Sequence, residues 1–241
     1  MIRFYCPDIK ENPVMPELES GHCVRVLRHQ HGDIFEVIDG KGGLFTVRLV
    51  DAHPKRAMVE IVDKKDLQPY WTGKLVLGVA PTKNMDRMEW LVEKATEVGM
   101  DAFIPVLCRF SERKEIKRER LEKTAVSAMK QSLKAALPEI GEMMPFARFI
   151  ERFKEFPAKF IAHCVDDGRR RLLSREYRPG DDIVILIGPE GDFSSEEIDL
   201  AHAAGFVPVS LGDARLRTET AALTALQTCH VVGQMENKEK P

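Results

Sequence analysis

The sequence predicts an α/β protein in which a parallel-sheet domain follows a small β-rich domain. Three observations lead there. From Lys74 onward, short aliphatic runs alternate with helical patterns, as in a parallel sheet with helices on both faces. Up to about residue 68 the chain instead carries short strands separated by tight-turn residues, the pattern of a small barrel. Between the two patterns, residues 64–73 are polar and contain Pro69 and Gly73, the composition of a linker. The expected domains are therefore residues 1–68 and 73–241.

In the first domain, residues 1–5 form a plausible opening strand. Residues 16–29 contain a short helix with Cys23, Val24 and Leu27 on one face. A strand begins at Asp33, residues 39–43 (Asp-Gly-Lys-Gly-Gly) have the glycine content of a hairpin turn, and residues 44–50 and 56–62 read as further strands. In the second domain the strand candidates are residues 75–80, 102–107, 159–164, 183–187 and 207–211. Met85, Met88, Leu91, Val92, Ala95 and Val98 recur at helical spacing, and a second helix is expected over 118–137. Ser194-Ser-Glu-Glu197 is a capping box, in which Ser194 accepts a backbone N–H and Glu197 reaches back. Residues 235–241 read as a frayed tail.

The 241 residues, 44% hydrophobic, are enough for one or two packed domains. No stretch reads as a membrane span or a signal peptide, so no membrane partner is expected. Five scattered cysteines (Cys6, Cys23, Cys108, Cys164, Cys229) form no C-x-x-C pair. They suggest reduced thiols in a cytoplasmic protein, with neither a disulfide framework nor a metal site. A net charge of −2 argues against a nonspecific binder of bulk duplex, yet leaves room for a local basic face.

Two stretches hold the densest chemistry: Ile187-Gly-Pro-Glu-Gly-Asp-Phe-Ser-Ser and Ser210-Leu-Gly-Asp-Ala-Arg-Leu-Arg-Thr-Glu-Thr-Ala-Ala. Each follows a predicted strand and leads into a helix, and ligands of α/β proteins bind beyond the carboxyl ends of strands. Gly188, Gly191 and Gly212 permit sharp turns and close approach of a ligand. Either stretch alone is also compatible with an ordinary tight turn. Neither matches the P-loop or the dinucleotide fingerprint.

Together the two stretches resemble the RsmE family of rRNA uridine N3-methyltransferases, which belongs to the SPOUT class. Met1-Ile-Arg-Phe-Tyr, His22-Cys-Val-Arg-Val-Leu-Arg, Gly32-Asp33, Glu93-Lys-Ala-Thr-Glu-Val-Gly and Gln131-Ser fit the same family. Asp192 stands where that family more often has a second glycine, and Lys134 where it usually has an arginine. The resemblance implies a PUA-like RNA-binding β-barrel over 1–68 and a SPOUT domain with a C-terminal trefoil knot. It further implies S-adenosylmethionine (SAM) as cofactor, 16S rRNA or the small ribosomal subunit as partner, and a homodimer whose active sites lie between subunits.

On that reading Leu186, Ile187, Gly188, Gly191, Leu211, Gly212 and Leu216 would form the cofactor slot, joined by His163 and Cys164 from a third loop. A histidine at a strand end is otherwise commonly an ordinary surface or capping residue. Arg217 is the candidate cation to favour ionisation of uracil N3, since it stays charged at any relevant pH. Glu190 and Glu219 are candidates to orient Arg217 or accept the proton. Glu219 reads equally as a carboxylate favourable at a helix N-terminus. Arg3, Arg25 and Arg28 are the candidate RNA contacts, with ordinary exposed charge as the alternative. Residues 109–123, seven basic and four acidic, read mainly as a solvated helix with i,i+4 ion pairs, or as a phosphate-contacting rim. A non-enzymatic assembly factor is the competing function, and SAM binding separates the two.

Overall fold

The computed structural model describes residues 2–165 and 168–237. They divide into two compact units, residues 1–69 with 126–137 and residues 70–125 with 138–241.

The first unit holds β1 (Arg3–Tyr5), α1 (Glu17–Gly21), β2 (Ile34–Ile38), β3 (Gly43–Asp51) and β4 (Met58–Asp66). The strands pair in the order β1-β2-β3-β4, with β1 parallel to β2 and the remainder antiparallel. All four contribute to one core, through Phe4, Phe35, Val37, Phe45, Val47, Leu49 and Val59. Helix α1 runs into a single wide turn over His22–Val26, which buries Cys23 and packs Val24 and Leu27 on that core. The expected hairpin forms at residues 39–43. Asp39 Oδ1 accepts the backbone N–H groups of Lys41 and Gly43, both at 2.8 Å. Gly40 and Gly42 take positive φ there, 74° and 98°, conformations that favour glycine.

Several boundaries differ from the sequence expectation. The strand expected over 159–164 ends at Ala162 and leaves His163 and Cys164 in a loop, and two other boundaries differ the most. Strand β4 continues to Asp66, where it pairs with Gly43. The linker therefore begins after Asp66 rather than at Lys64. The added residues are charged and exposed, as an edge strand tolerates. The helix expected over 118–137 ends at Gln131 as α3 (Arg118–Gln131). Leu133 takes φ +57°, and the N–H groups of Leu133 and Lys134 turn back to the carbonyls of Lys130 (3.3 Å) and Met129 (3.0 Å). That is a Schellman C-cap, built on leucine where the usual signal is glycine. Residues 126–137 then pack in the first unit, with Met129 and Ala135 against Ile38 and Leu44.

The second unit carries β5 (Leu75–Val79), α2 (Met85–Val98), β6 (Ala102–Leu107), β7 (Glu139–Ile140), β8 (Met144–Pro145), α4 (Phe146–Phe153), β9 (Ala158–Ala162), β10 (Arg171–Leu172), α5 (Leu173–Glu176), β11 (Ile183–Ile187), α6 (Ser195–Ala203), β12 (Val207–Ser210) and α7 (Thr218–Asn237). The strand order is β10-β12-β9-β11-β5-β6-β7, with β8 beside β6, and every pairing is parallel. One face packs Val76, Ile104, Ile161, Val184 and Leu186 against Phe146, Phe149 and Phe153 of α4 and Ile198 of α6. Helix α7 lies against α2, β5 and β11. Strands β5 and β11 are buried throughout, which explains their unbroken aliphatic runs. The capping box forms at α6 as expected. Helix α7 includes residues 235–237 of the expected tail, and residues 238–241 lie outside the described residues.

Gly78, in the middle of β5, leaves the space that the Phe149 ring fills, and a Cβ there would overlap the ring. We expect Gly78→Ala to destabilise the full chain by about 1–3 kcal/mol, read as a lower urea midpoint with an unchanged slope. An unchanged midpoint would show that α4 can move off the sheet at little cost.

Candidate active site

Strands β12, β9 and β11 are neighbours in the sheet, and their register makes them end level. Ala162 faces Ile187 on one side and Val209 on the other. Three loops therefore leave one edge together, beginning at His163, Gly188 and Leu211. They enclose a cavity of about 400 Å³, within the size range of small-molecule sites.

The β11 loop is the most constrained of the three. Residues 189–192 form a turn closed by Asp192 N–H to the Pro189 carbonyl, 2.9 Å. Phe193 is buried beneath it, and a Cβ on Gly188 would approach that ring to 3.0 Å. A Cβ on Gly191 would come within 3.1 Å of Phe110. In the β12 loop, the Ser210 hydroxyl accepts the Gly212 N–H at 3.2 Å, while Gly212 takes φ +116°. The loop ends at Arg217, whose carbonyl accepts Ala221 N–H in the first turn of α7 (2.7 Å). Thr218 is buried and donates its hydroxyl to the Gly188 carbonyl at 3.0 Å, tying the start of α7 to the β11 loop.

Among the expected site residues, Cys164, Ile187, Gly188, Glu190, Gly191, Leu216 and Arg217 all line the cavity. The Arg217 side chain is exposed and, like that of Arg215, has no ion-pair or hydrogen-bond partner among the described residues. The Glu190 carboxylate accepts the Lys83 N–H at 3.3 Å.

Other expected residues are placed elsewhere. Leu186 is wholly buried in the sheet core, packed toward α4 and α6. His163 is buried with its ring 6.1 Å from that of His202. Leu211 lines a separate apolar groove with Leu172, Leu223 and Val231. Gly212 shapes the turn without lining the cavity. Glu219 is buried and turned toward α2, its Oε1 3.7 Å from Arg87 Nε.

The three arginines also divide. Arg3 is almost wholly buried, donating to Glu36 at 2.9 Å and to the Leu133 carbonyl, so the structure corrects the expectation that it faces RNA. Arg25 and Arg28 are exposed and have no partner among the described residues. In the basic run, helix begins only at Arg118, so residues 109–117 do not form the expected helix. Arg118 pairs with Glu122 at i,i+4 and with Glu142, and Arg120 with Asp86 and Glu89 of α2.

Sequence reasoning gave no role to Thr218, Arg215 or Asp192. Thr218 and Arg215 were legible only as parts of a motif. Asp192 stood out as a departure from it and as one of the charges clustered at the strand ends.

An open parallel α/β sheet with a glycine-shaped cavity beyond the carboxyl ends of its strands, and two exposed arginines on its rim with no partner among the described residues, has the form of an α/β enzyme site open to an anionic ligand. Residues 70–230 match the family model of the RNA methyltransferase domain, and residues 19–62 that of the RNA methyltransferase PUA domain. Ribosomal RNA small subunit methyltransferase E of Synechocystis is 34% identical over 84% of this chain and 67% of its own length. The same-named protein of Bacillus subtilis is 30% identical over 86% and 85%. Among solved structures, a probable rRNA-methyltransferase from Porphyromonas gingivalis superposes with TM-score 0.91 at 42% identity, over 98% of this chain and 100% of its own. Ribosomal RNA small subunit methyltransferase E from Neisseria gonorrhoeae, solved with bound S-adenosyl methionine, gives 0.81 at 28% identity over 96% and 98%. The chain therefore belongs to the ribosomal RNA small subunit methyltransferase E family of RNA methyltransferases.

The cysteines give a direct probe of the cavity wall. Cys164 is exposed, whereas the other four are buried. Burial pushes Cys6 and Cys23 up to about 11 and Cys229 to about 12, and raises Cys108 further. At pH 8 a thiol pushed up to about 11 is thiolate in roughly one molecule per thousand. The native chain should therefore present one thiol to Ellman's reagent, and Cys164→Ser should remove it. Rapid reaction of a second thiol would contradict the packing described.

Proposed function

We propose that this chain transfers the methyl group of SAM to N3 of a uridine in small-subunit ribosomal RNA. The observation that carries this reading is the cavity itself, where three parallel strands end level and glycines hold open a slot beside two unpaired arginines. Its residues fit the cofactor. Ile187, Leu216 and Ala221 supply an apolar wall, backbone groups of the Gly188–Gly191 turn offer an edge for hydrogen bonding, and Gly188 is where a side chain would intrude.

Bound SAM supplies a methyl already activated by its sulfonium. The chain's task is alignment and charge control. Arg217, on the rim with no partner among the described residues, would on this reading meet the N3/O4 edge of uracil and favour the ionised base. Glu190, on the same rim, is the candidate to take the N3 proton. Its contact to the Lys83 N–H holds it near the cavity. Glu219 faces Arg87 and is better suited to fixing the first turn of α7, on which Arg217 depends, than to touching the base.

On this reading residues 1–68, with Arg25 and Arg28 exposed, act as the RNA-positioning PUA-like barrel and residues 73–241 as the SPOUT catalytic domain, which lends residues 126–137 to the first compact unit. The trefoil knot is supported by the insertion of β11 between β5 and β9, followed by the return of α7 to the Gly188 carbonyl through Thr218. The homodimer is supported by the apolar groove along α7, about 530 Å³, which includes the exposed side chains of Val231 and Met235. A second copy covering it would enclose the adjoining β12 loop. No helix among the described residues is long and apolar enough to cross a membrane, and the reading places the enzyme in the cytoplasm with its ribosomal substrate.

Calorimetry with SAM tests the cofactor site, and mass spectrometry of small-subunit rRNA from cells with and without the gene tests the product, 3-methyluridine. Gly188→Val should abolish SAM binding, because its methyls meet Phe193 on one side and the slot on the other. Unchanged affinity would remove the site from this loop.

Arg217→Ala should lower turnover by at least about 10²-fold, the scale of losing one electrostatic stabiliser, with SAM affinity falling less. Without the cation the ionised base is less favoured, so the rise of rate with pH should move to higher pH. Lys at 217 should rescue only partly, lacking the planar fork. Near-normal turnover with an unshifted profile, in a variant of unchanged oligomeric state, would exclude Arg217 from the chemistry.

A further inference from the structure

Besides the Thr218–Gly188 tie, the cavity contains a cross-loop bond made by Asp192, a residue to which the family resemblance assigns no role. Asp192 takes φ +65°, a left-handed conformation that costs side chains other than Gly, Asn and Asp a steric penalty. Its carboxylate Oδ2 accepts the backbone N–H of Cys164 at 2.8 Å. The two residues are 28 apart in sequence and belong to different loops, one leaving β9 and one leaving β11. Both line the cavity. The turn that precedes Asp192 is closed by its own N–H to the Pro189 carbonyl, so the backbone from which the carboxylate reaches the Cys164 N–H is held in place.

Within the β9 loop the His163 carbonyl accepts from the Arg170 guanidinium at 3.2 Å, a tie that does not reach the β11 loop. Cys164 itself is exposed, and its N–H has left the β9 ladder, which ends at Ala162. A charged acceptor on a neighbouring rigid turn is a strong hydrogen-bond partner for such an amide. Glycine at 192 would allow the same backbone but offer no acceptor.

We propose that Asp192 is a positioning residue that holds the β9 loop against the β11 loop and so sets the width of the cofactor slot before the cofactor binds. The left-handed backbone and the carboxylate are both needed: the first aims the second. The proposal rests on the reading of this cavity as the SAM site. It adds that this chain fixes the slot by a side chain where a glycine would leave the two loops independent.

Asp192→Gly, Asp192→Asn and the unaltered chain separate the two requirements. Each would be examined by amide hydrogen exchange at Cys164, by the rate at which Ellman's reagent modifies the Cys164 thiol, and by calorimetry with SAM. Asn keeps an acceptor oxygen and tolerates the left-handed region, so it should retain most of the exchange protection and the affinity. Gly should fold with a similar melting temperature, lose the protection, expose the thiol to faster modification, and weaken SAM binding by about tenfold, the scale of a hydrogen bond to a charged group. If Gly matches the unaltered chain in both exchange and affinity, the proposal is overturned. Lost protection with undiminished affinity overturns the link to the slot. If no variant, nor the unaltered chain, binds SAM, the cofactor reading fails, and the exchange data still report whether Asp192 ties the loops.

Discussion

The arrangement of the second unit depends on the register at Ala162. Parallel pairing places that residue opposite Ile187 of β11 and Val209 of β12, so three strands stop at one level and three loops must share one edge. In a parallel sheet the side chains alternate, and a slip by one residue would turn each strand's buried set to the opposite face. The cores on the two faces forbid that slip. Val184 and Leu186 are held among the phenylalanines of α4 on one side, while Ile183, Ile185 and Ile187 are buried on the other. The cavity is thus positioned by hydrophobic packing well below it, and the loops need to supply only its shape.

That shape is fixed by a small number of polar ties between loops. Thr218 joins α7 to the Gly188 carbonyl, Asp192 joins the β11 loop to the β9 loop, and Glu197 joins α6 both to Ser194 and to the Arg109 N–H. Each tie satisfies a backbone group that the ends of strands or helices leave without a ladder partner. The charges on the rim are handled differently. The arginines of α3 are matched by glutamates, but Arg215 and Arg217 have no partner among the described residues. A cation kept unpaired beside a cavity is available to an anionic substrate, and no internal carboxylate has to be displaced before it can act.

The alternation of strands and helices, the hairpin at Asp39, the capping box at Ser194 and the helix from Met85 were all legible in the sequence. Their signals are local: periodicity, glycine at the turn, and oxygen-bearing side chains at set spacing. What was not legible depended on long-range placement. The end of α3 at Leu133 carries no glycine, and the left-handed residue is held there by tertiary contacts, including the Arg3 guanidinium on its carbonyl. The inclusion of residues 126–137 in the first unit could not be read from a helical pattern, because the amphipathic face of α3 does not say which core it meets. Within the site, motif residues identified the cavity's loops. Which of them line the cavity depends on the pleat of each strand, and Leu186 and Ile187 fall on opposite sides of it.

Arg3 and Arg217 show why residue type alone does not assign a basic side chain. Both occur in segments that resemble the same family. One is desolvated, and its guanidinium is occupied by Glu36 and a carbonyl. Removing it would break its pairing with the half-buried Glu36 and its bond to the Leu133 carbonyl, a cost to folding rather than to binding. The other is exposed and unpaired at the mouth of a cavity, where losing it leaves no internal group unsatisfied and should be felt chiefly by the substrate. Burial and existing partners decide whether a charge belongs to the fold or to the chemistry. By the same criterion Glu219, buried at the start of α7 with its carboxylate 3.7 Å from Arg87 Nε, sits inside the fold where Arg217 stands exposed.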